Sequence, residues 1–261
     1  MSNKLLQWGL VLALGLPAVA QATLISRLAG QAYYDTVLDI TWLQDANLAA
    51  TNAFSVPSVL PDGTMIWDAA NSWITAMNAD GGTGYLGFND WRLPTLSPVS
   101  GGATFNDVFS NNGTTDLGYG ATGIGWQTVA GKFVSEMGYM FYANLLNLGR
   151  CPPNNGNPTS CNPDPQAGSG LINTASFSNL QSNHYWSGLE FAPAKIGAWG
   201  FLFDDGSQVA DDKGESFFAW AVRSGDVAAS VPEPGTVLLM GAGLAGLIGV
   251  KRSKQRGASV I

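Results

Sequence analysis

Within the segment Tyr33 to Trp42, the apolar Ile40 and Trp42 alternate with the polar Asp39 and Thr41, the period-two pattern of a strand with one buried face. The whole segment reads as a β-hairpin. From Trp67 the spacing changes to three and four, so that Trp67, Ala70, Ile74 and Met77 would share one face of a helix over Met65 to Asn78, stopped by Gly81-Gly82. That stripe needs a sheet to cover it. A second helix is expected from Glu136 to about Leu148, with Ser135 as its N-cap and Gly149 at its end. Residues 150–170 read as one long loop. Strands are expected at His184 to Ser187, Ala198 to Phe203 and Phe217 to Arg223, and Asp205-Gly206 signals a tight turn after the second of these. Residues 97–130, rich in Gly, Ser, Thr and Asn, predict only loop and a short helix. Strands near the ends with helices between them make this a mixed α+β chain.

Two apolar runs do not belong to that domain. Lys4 precedes the run Leu5 to Leu16, Pro17 breaks it, and Ala20-Gln21-Ala22 supplies a small-x-small cleavage pattern. Residues 1–22 therefore read as a secretory signal peptide, with the mature chain starting near Thr23. Ala18-Val19-Ala20 would serve almost as well, two residues earlier. The second run, Gly235 to Val250, carries no charge and is followed by Lys251, Arg252, Lys254 and Arg256. As a helix its sixteen residues would reach roughly 24 Å, short of the roughly 30 Å core of a bilayer. The cations would hold that end on the cytoplasmic side, leaving everything before it outside the membrane. Gly243, Gly246 and Gly249 give only Gly-x-x-Gly spacings, so no dimer motif is read here.

The order Val231-Pro232-Glu233-Pro234, apolar segment and basic stop resembles the PEP-CTERM sorting signal of bacterial exported proteins. That resemblance covers Val231 to Arg256, with 257–261 as a short tail. It implies an exosortase as processing partner, a membrane-embedded cysteine transpeptidase-like enzyme, and transient anchoring in the inner membrane by a C-terminal hydrophobic helix. An ordinary C-terminal anchor behind a Pro-rich linker is the alternative.

Removing both processing segments leaves about 200 residues, enough for one large domain over 23–230. Thr23 to Ser230 carries 7 Lys or Arg against 18 Asp or Glu, so 7 − 18 = −11. This disfavours binding to nucleic acid or to anionic lipid. A calcium ion or a neutral or cationic polysaccharide is a better electrostatic partner. Cys151 and Cys161 sit in a loop rich in Pro, Asn and Gly, and export favours a disulfide between them. The competing thiol pair for a metal or for catalysis lacks Cys-x-x-Cys spacing and a nearby His.

Several of the segments above stand in an order that is itself a resemblance. Tyr34-Asp35-Thr36-Val37-Leu38-Asp39-Ile40-Thr41-Trp42-Leu43-Gln44-Asp45-Ala46-Asn47 comes first, then Trp67 with Ala70 and Trp73, then Asp90-Trp91-Arg92-Leu93-Pro94-Thr95. His184-Tyr185-Trp186-Ser187, Ala198-Trp199 and Ala219-Trp220-Ala221-Val222-Arg223 follow. Together they resemble the Lcl C-terminal domain, named for the end domain of a bacterial collagen-like adhesin, over about residues 32–226. The resemblance implies a C-type-lectin-like fold: one mixed sheet, two main helices, long loops, and paired terminal strands. It also implies a non-enzymatic surface or extracellular-matrix protein, open to glycan binding. The chain has no collagen-like Gly-X-Y stalk, so adhesin function does not travel with the domain.

The best metal candidates are Asp204, Asp205, Asp211, Asp212 and Glu215, since calcium takes about six to eight oxygens from a compact loop. Set on an EF-hand, Asp204 is the first residue and Glu215 the twelfth, but Gly206, Gln208 and Val209 occupy positions that need acidic or amide ligands and a glycine. A solvated hairpin face is the competing reading. Arg92 offers a fork of donors to a carboxylate or sulfate ligand, or else pairs with a nearby carboxylate such as Asp90. Gly82-x-Gly84-x-x-Gly87 spells a dinucleotide fingerprint but follows a helix, and reads as a turn. His184 is the single histidine, and no Gly-x-Ser-x-Gly elbow exists, so no hydrolytic triad is read and no catalytic residue is assigned. A carbohydrate-active enzyme acting on exopolysaccharide is the alternative function, with Glu136, Glu190 and Glu215 as available carboxylates. Trp186, Trp199 and Trp220 are candidates to stack on sugar rings or to fill core.

Overall fold

The computed structural model describes residues 24–119, 134–152 and 159–227. The segment 1–22 expected to be a signal peptide, the sorting motif with its apolar segment, and the tail 257–261 lie outside them. The described residues form a mixed α+β unit with two helices and two sheets.

The first sheet has the order β1 (Leu24–Arg27), β2 (Ala32–Asp35), β3 (Ile40–Leu43), β9 (Val222–Ser224), and every pair is antiparallel. The expected hairpin is β2–β3. Asp35 builds its turn: the carboxylate is fully buried and accepts the Val37 and Leu38 amides, both at 2.9 Å. β9 closes the sheet by pairing Thr41 with Arg223 and Trp42 with Val222, so the two ends of the domain meet in one sheet.

The second sheet has the order β4 (Phe109–Ser110), β5 (Leu117–Tyr119), β8 (Ser207–Asp212), β7 (Gly197–Leu202), β6 (His184–Glu190). Residues 97–119 therefore contain two short strands where loop and a short helix are expected. Buried Asp116 organises them, taking the Val99 and Asn106 amides at 2.6 Å each.

The segment ahead of β9 joins the two sheets. Phe218 exchanges backbone hydrogen bonds with His184 and Trp186 of β6 at 3.0 and 2.9 Å, and three residues later the Ala221 carbonyl accepts from Leu43 of β3 at 3.1 Å. Trp220 lies in this crossing, its indole N–H donating to the Leu43 carbonyl at 2.8 Å and its ring 4.6 Å from that of Trp42. Helix α1 (Trp67–Ala79) covers the junction with Ala69, Ala70, Trp73, Ile74 and Met77 buried. Trp67, placed on the same stripe by spacing, is only half-buried, and Lys213 sits over its ring at 4.4 Å.

Helix α2 departs from expectation. Ser135 caps it as foreseen, accepting from the Gly138 amide at 3.0 Å, but regular α-helix covers only Glu136–Tyr139 and a wider π turn runs over Met140–Asn144. It stops well before Leu148. The reason is long-range: Asn147 turns its side chain to the loop at 172–173, its Oδ1 accepting the Ile172 and Asn173 amides at 3.0 and 2.8 Å, and Leu146 enters the left-handed region with φ 55°. Gly84, in the turn after α1, has φ 84°, and a Cβ there would meet the Phe88 carbonyl oxygen. The dinucleotide-like string is thus a turn.

Among the described residues no helix is long and apolar enough to cross a membrane.

Candidate functional site

The five acidic residues proposed as calcium ligands are not brought together. Asp204 and Asp205 occupy the β7–β8 turn, whereas Asp211 and Asp212 end β8 and Glu215 lies beyond it. A strand of about 3.3 Å per residue puts roughly 20 Å between the two groups. The oxygens of Asp205 and Asp212 are also engaged locally. Asp205 accepts from the Ser207 amide and hydroxyl at 2.9 and 2.6 Å and from the Tyr119 hydroxyl at 3.0 Å. Asp212 accepts from the Gly214 amide at 2.8 Å. Burial, then the neighbouring Asp205 charge, raises the Asp204 carboxyl above its ordinary range. Among the described residues no group of three or more His, Cys, Asp or Glu gathers to hold a metal.

Asp90-Trp91-Arg92 is a structural splice. Arg92 does not pair with Asp90: it grips Glu136 through both terminal nitrogens at 2.8 and 2.7 Å, while Asp90 takes Arg223 at 2.7 and 2.8 Å. Backbone bonds between Arg92 and Val222 at 2.7 and 2.9 Å extend the first sheet beyond β9. Trp91 is buried, as are Trp186, Trp199 and Trp220, so all three tryptophans considered for sugar stacking belong to the core.

His184 is also interior. It stacks on Phe217 at 3.8 Å, its Nδ1 lies 3.3 Å from Asp211 Oδ2, and its Nε2 abuts Gly200, where a Cβ would collide with it. Burial pulls its pKa down to about 3, which leaves the ring neutral. Cys151 and Cys161 form the expected disulfide, with Cα atoms 5.0 Å apart.

One cavity, of about 260 Å³, opens where the inner face of the first sheet runs past the end of α2. Leu24 and Tyr33 come from β1 and β2, Asn144 ends the π turn, and Ala175, Ser176 and Phe177 come from the loop before β6. Tyr33 and Phe177 meet edge to face at 5.2 Å. Asn144 Nδ2 donates to Asp35 Oδ2 at 2.5 Å, and Asn144 Oδ1 is buried without a hydrogen-bond partner. Burial raises the Asp35 carboxyl, while the bonds from Leu38, Asn144 and Val37 pull the other way. No sequence motif marked this place. Its residues come from four separate segments, and the signals that pointed near it, Asp35 and the hairpin, had structural readings.

Residues 230–253 match the family model of the PEP-CTERM protein-sorting motif. The chain carries that signal. It is an exported, cell-envelope-associated protein addressed to an exosortase, its processing partner. The match covers Val231, Pro232, Glu233 and Pro234, which lie outside the described residues. No curated protein matches the chain, and no solved structure does.

Proposed function

We propose that this is a non-enzymatic surface or extracellular-matrix protein, exported, held at the inner membrane by its C-terminal hydrophobic segment, trimmed by an exosortase, and glycan-binding through its folded domain. The sorting motif at 230–253 carries the reading of export and processing. The order of short motifs over about 32–226 supports an Lcl C-terminal, C-type-lectin-like domain, and the pairing of β3 with β9 agrees with that family's joined termini. Two of the three carboxylates available to an exopolysaccharide-cleaving enzyme are engaged in structural contacts. Glu136 holds Arg92 and the Thr95 amide, and Glu190 holds Lys213. The strong negative charge of the mature domain favours a neutral or cationic polymer as partner.

The test is a glycan array probed with the mature protein, with and without calcium, beside an assay for new reducing ends on the host's exopolysaccharide. Binding without cleavage is expected. Cleavage would overturn the non-enzymatic reading, and an array without signal would overturn the glycan reading.

A further inference from the structure

The chain leaves the folded domain across the outer face of the first sheet. Ile25, Tyr34, Thr41 and Arg223 stand opposite one another in register and form one row across β1, β2, β3 and β9, on the face away from Ile40 and Trp42. Arg27, two residues on from Ile25, shares that face. After Ser224 the chain does not run on past the end of β9. Gly225 turns it with φ 73°, its amide donating to the Asp39 carbonyl and its own carbonyl accepting from the Thr41 hydroxyl, both at 2.7 Å. Asp226 is then clasped by Arg27 of the edge strand β1, through Nε at 2.6 Å and Nη2 at 2.7 Å. β1 and β9 lie three strand spacings, about 14 Å, apart, so the clasp draws the end of the domain back over the sheet.

Length then limits how far the apolar segment can lie from this point. Val227, buried, is the last described residue of the domain, and four residues separate it from Pro232. The uncharged run begins eight positions after Val227, at Gly235, a span of at most about 29 Å for a fully extended chain. A domain of about 200 residues is about 40 Å across. A pose with the outer face turned away from the bilayer is therefore beyond the reach of the tether. The face itself suits a headgroup layer. Arg27 lies over the Tyr34 ring at 5.7 Å, and both side chains carry an apolar body with a polar tip. Charge there cancels in pairs, Arg27 with Asp226 and Arg223 with Asp90, whereas Asp204, Asp205, Asp211, Asp212 and Glu215 stand in and around β8 of the other sheet.

We infer that in the untrimmed protein the outer face of the first sheet, around the Arg27–Asp226 clasp, lies against the lipid headgroups of the inner membrane. The inference rests on the reading that Gly235 to Val250 anchors the untrimmed chain, and it adds which surface of the domain meets the bilayer. The tether imposes the contact. A domain with an excess of negative charge is not drawn to anionic lipid, so trimming ends the contact and frees the face.

The experiment takes the full chain from a host without an exosortase, so that the tail is kept, and reconstitutes it in vesicles of phosphatidylethanolamine and phosphatidylglycerol with a nitroxide quencher on a fraction of the headgroups. A fluorescent label is placed at Ile25→Cys on the face, at Ser224→Cys beside the exit, or at Ile196→Cys in the β6–β7 turn of the second sheet, the native cysteines being held in their disulfide. Quenching is expected to be severalfold stronger at Ile25→Cys and Ser224→Cys than at Ile196→Cys, in variants that melt with the wild type. A long Gly-Ser insert after Ser230 is expected to erase that difference, since a flexible linker frees the domain to turn. Equal or stronger quenching at Ile196→Cys, or a difference that survives the insert, would overturn the inference and leave the anchor standing. Protein that fails to float with the vesicles would overturn the anchoring reading and this inference with it.

Discussion

Arg92 and Glu136 face each other in parallel, with both terminal guanidinium nitrogens on both carboxylate oxygens at 2.8 and 2.7 Å. The pair ties the segment that extends the first sheet to the first turn of α2. Glu136 spends a third bond on the Thr95 amide at 2.8 Å, so one carboxylate fixes both ends of the irregular segment from Arg92 to Thr95 to a helix start. Its side chain is 10% exposed against 32% for Arg92, which places the carboxylate as the more vulnerable partner.

Removal of Arg92 should therefore cost more than removal of a surface pair. Arg92→Ala leaves Glu136 largely dehydrated with one donor, and we expect a loss of about 2–3 kcal/mol in urea unfolding, just under the range for a fully buried pair because Arg92 is part-exposed. Arg92→Lys should recover less than half, since an ammonium cannot make both bonds. A loss below about 0.5 kcal/mol would assign this contact to the ordinary surface class.

The Cys151–Cys161 bridge closes a short loop, and Gln166 Nε2 braces its base through the carbonyls of Gly149 and Cys151 at 2.6 and 3.0 Å. Isolated without reductant from the envelope, the protein should yield the linked peptides in mass mapping. Reduction should lower stability by about 3 kcal/mol on the chain-entropy account. Two free thiols in the exported protein would contradict this.

How far these features could be read from sequence depended on range. The β2–β3 hairpin was legible because Ile40 and Trp42 alternate with polar neighbours over a few residues, and α1 because its buried positions recur at three and four. β8 was not, since Asp211 and Asp212 at its end look like turn or metal chemistry while the strand owes its place to β7 on one side and β5 on the other. β1 is four residues long and follows directly on the expected cleavage site, too short to show a period. The early end of α2 depends on Asn147 reaching the amides of Ile172 and Asn173, a contact no local pattern announces. Of the two readings of Arg92, the ion pair is the one seen, but with Glu136 in place of Asp90, because sequence proximity favours Asp90 and space favours Glu136. The cavity was invisible for the same reason.

His184 should make the fold sensitive to acid. Its pKa falls from 6.5 in an unfolded chain to about 3 in the folded one, so the unfolded chain takes up the proton first. The contribution is fully present above about pH 6.5 and is lost as pH falls toward 3. By pH 5 the loss should be about 2 kcal/mol. Asp211 works with the opposite sign, because burial and Glu215 raise its pKa and its protonation then favours the folded state. The clean measurement is the difference between wild type and His184→Gln in urea midpoints from pH 7 to 5. The wild type should show the steeper fall; parallel curves would mean that the ring is accessible to protons in the folded state.

Sorting offers the sharpest test of what the chain is for. Pro232 and Pro234 each fix φ and lack a backbone donor, and a residue that precedes proline is driven toward extended backbone, which applies to Val231 and Glu233. The sequence is thus expected to offer Glu233 on a short extended stretch that a membrane enzyme could grasp without first unwinding a helix. On the proposed anchoring, the uncharged run from Gly235 to Val250 and the cations from Lys251 to Arg256 would set that stretch near the outer face of the inner membrane. Glu233→Ala should leave the signal peptide, export and the folded domain untouched, yet block C-terminal trimming. The mutant would then keep residues 235–261 and remain with the inner membrane, while wild type in an exosortase-bearing strain loses them. Mass spectrometry of the C-terminus in the two strains decides it. Equal trimming of mutant and wild type would show that Glu233 is not what the enzyme reads, and a wild type that retains its tail throughout would reduce the segment to a plain anchor.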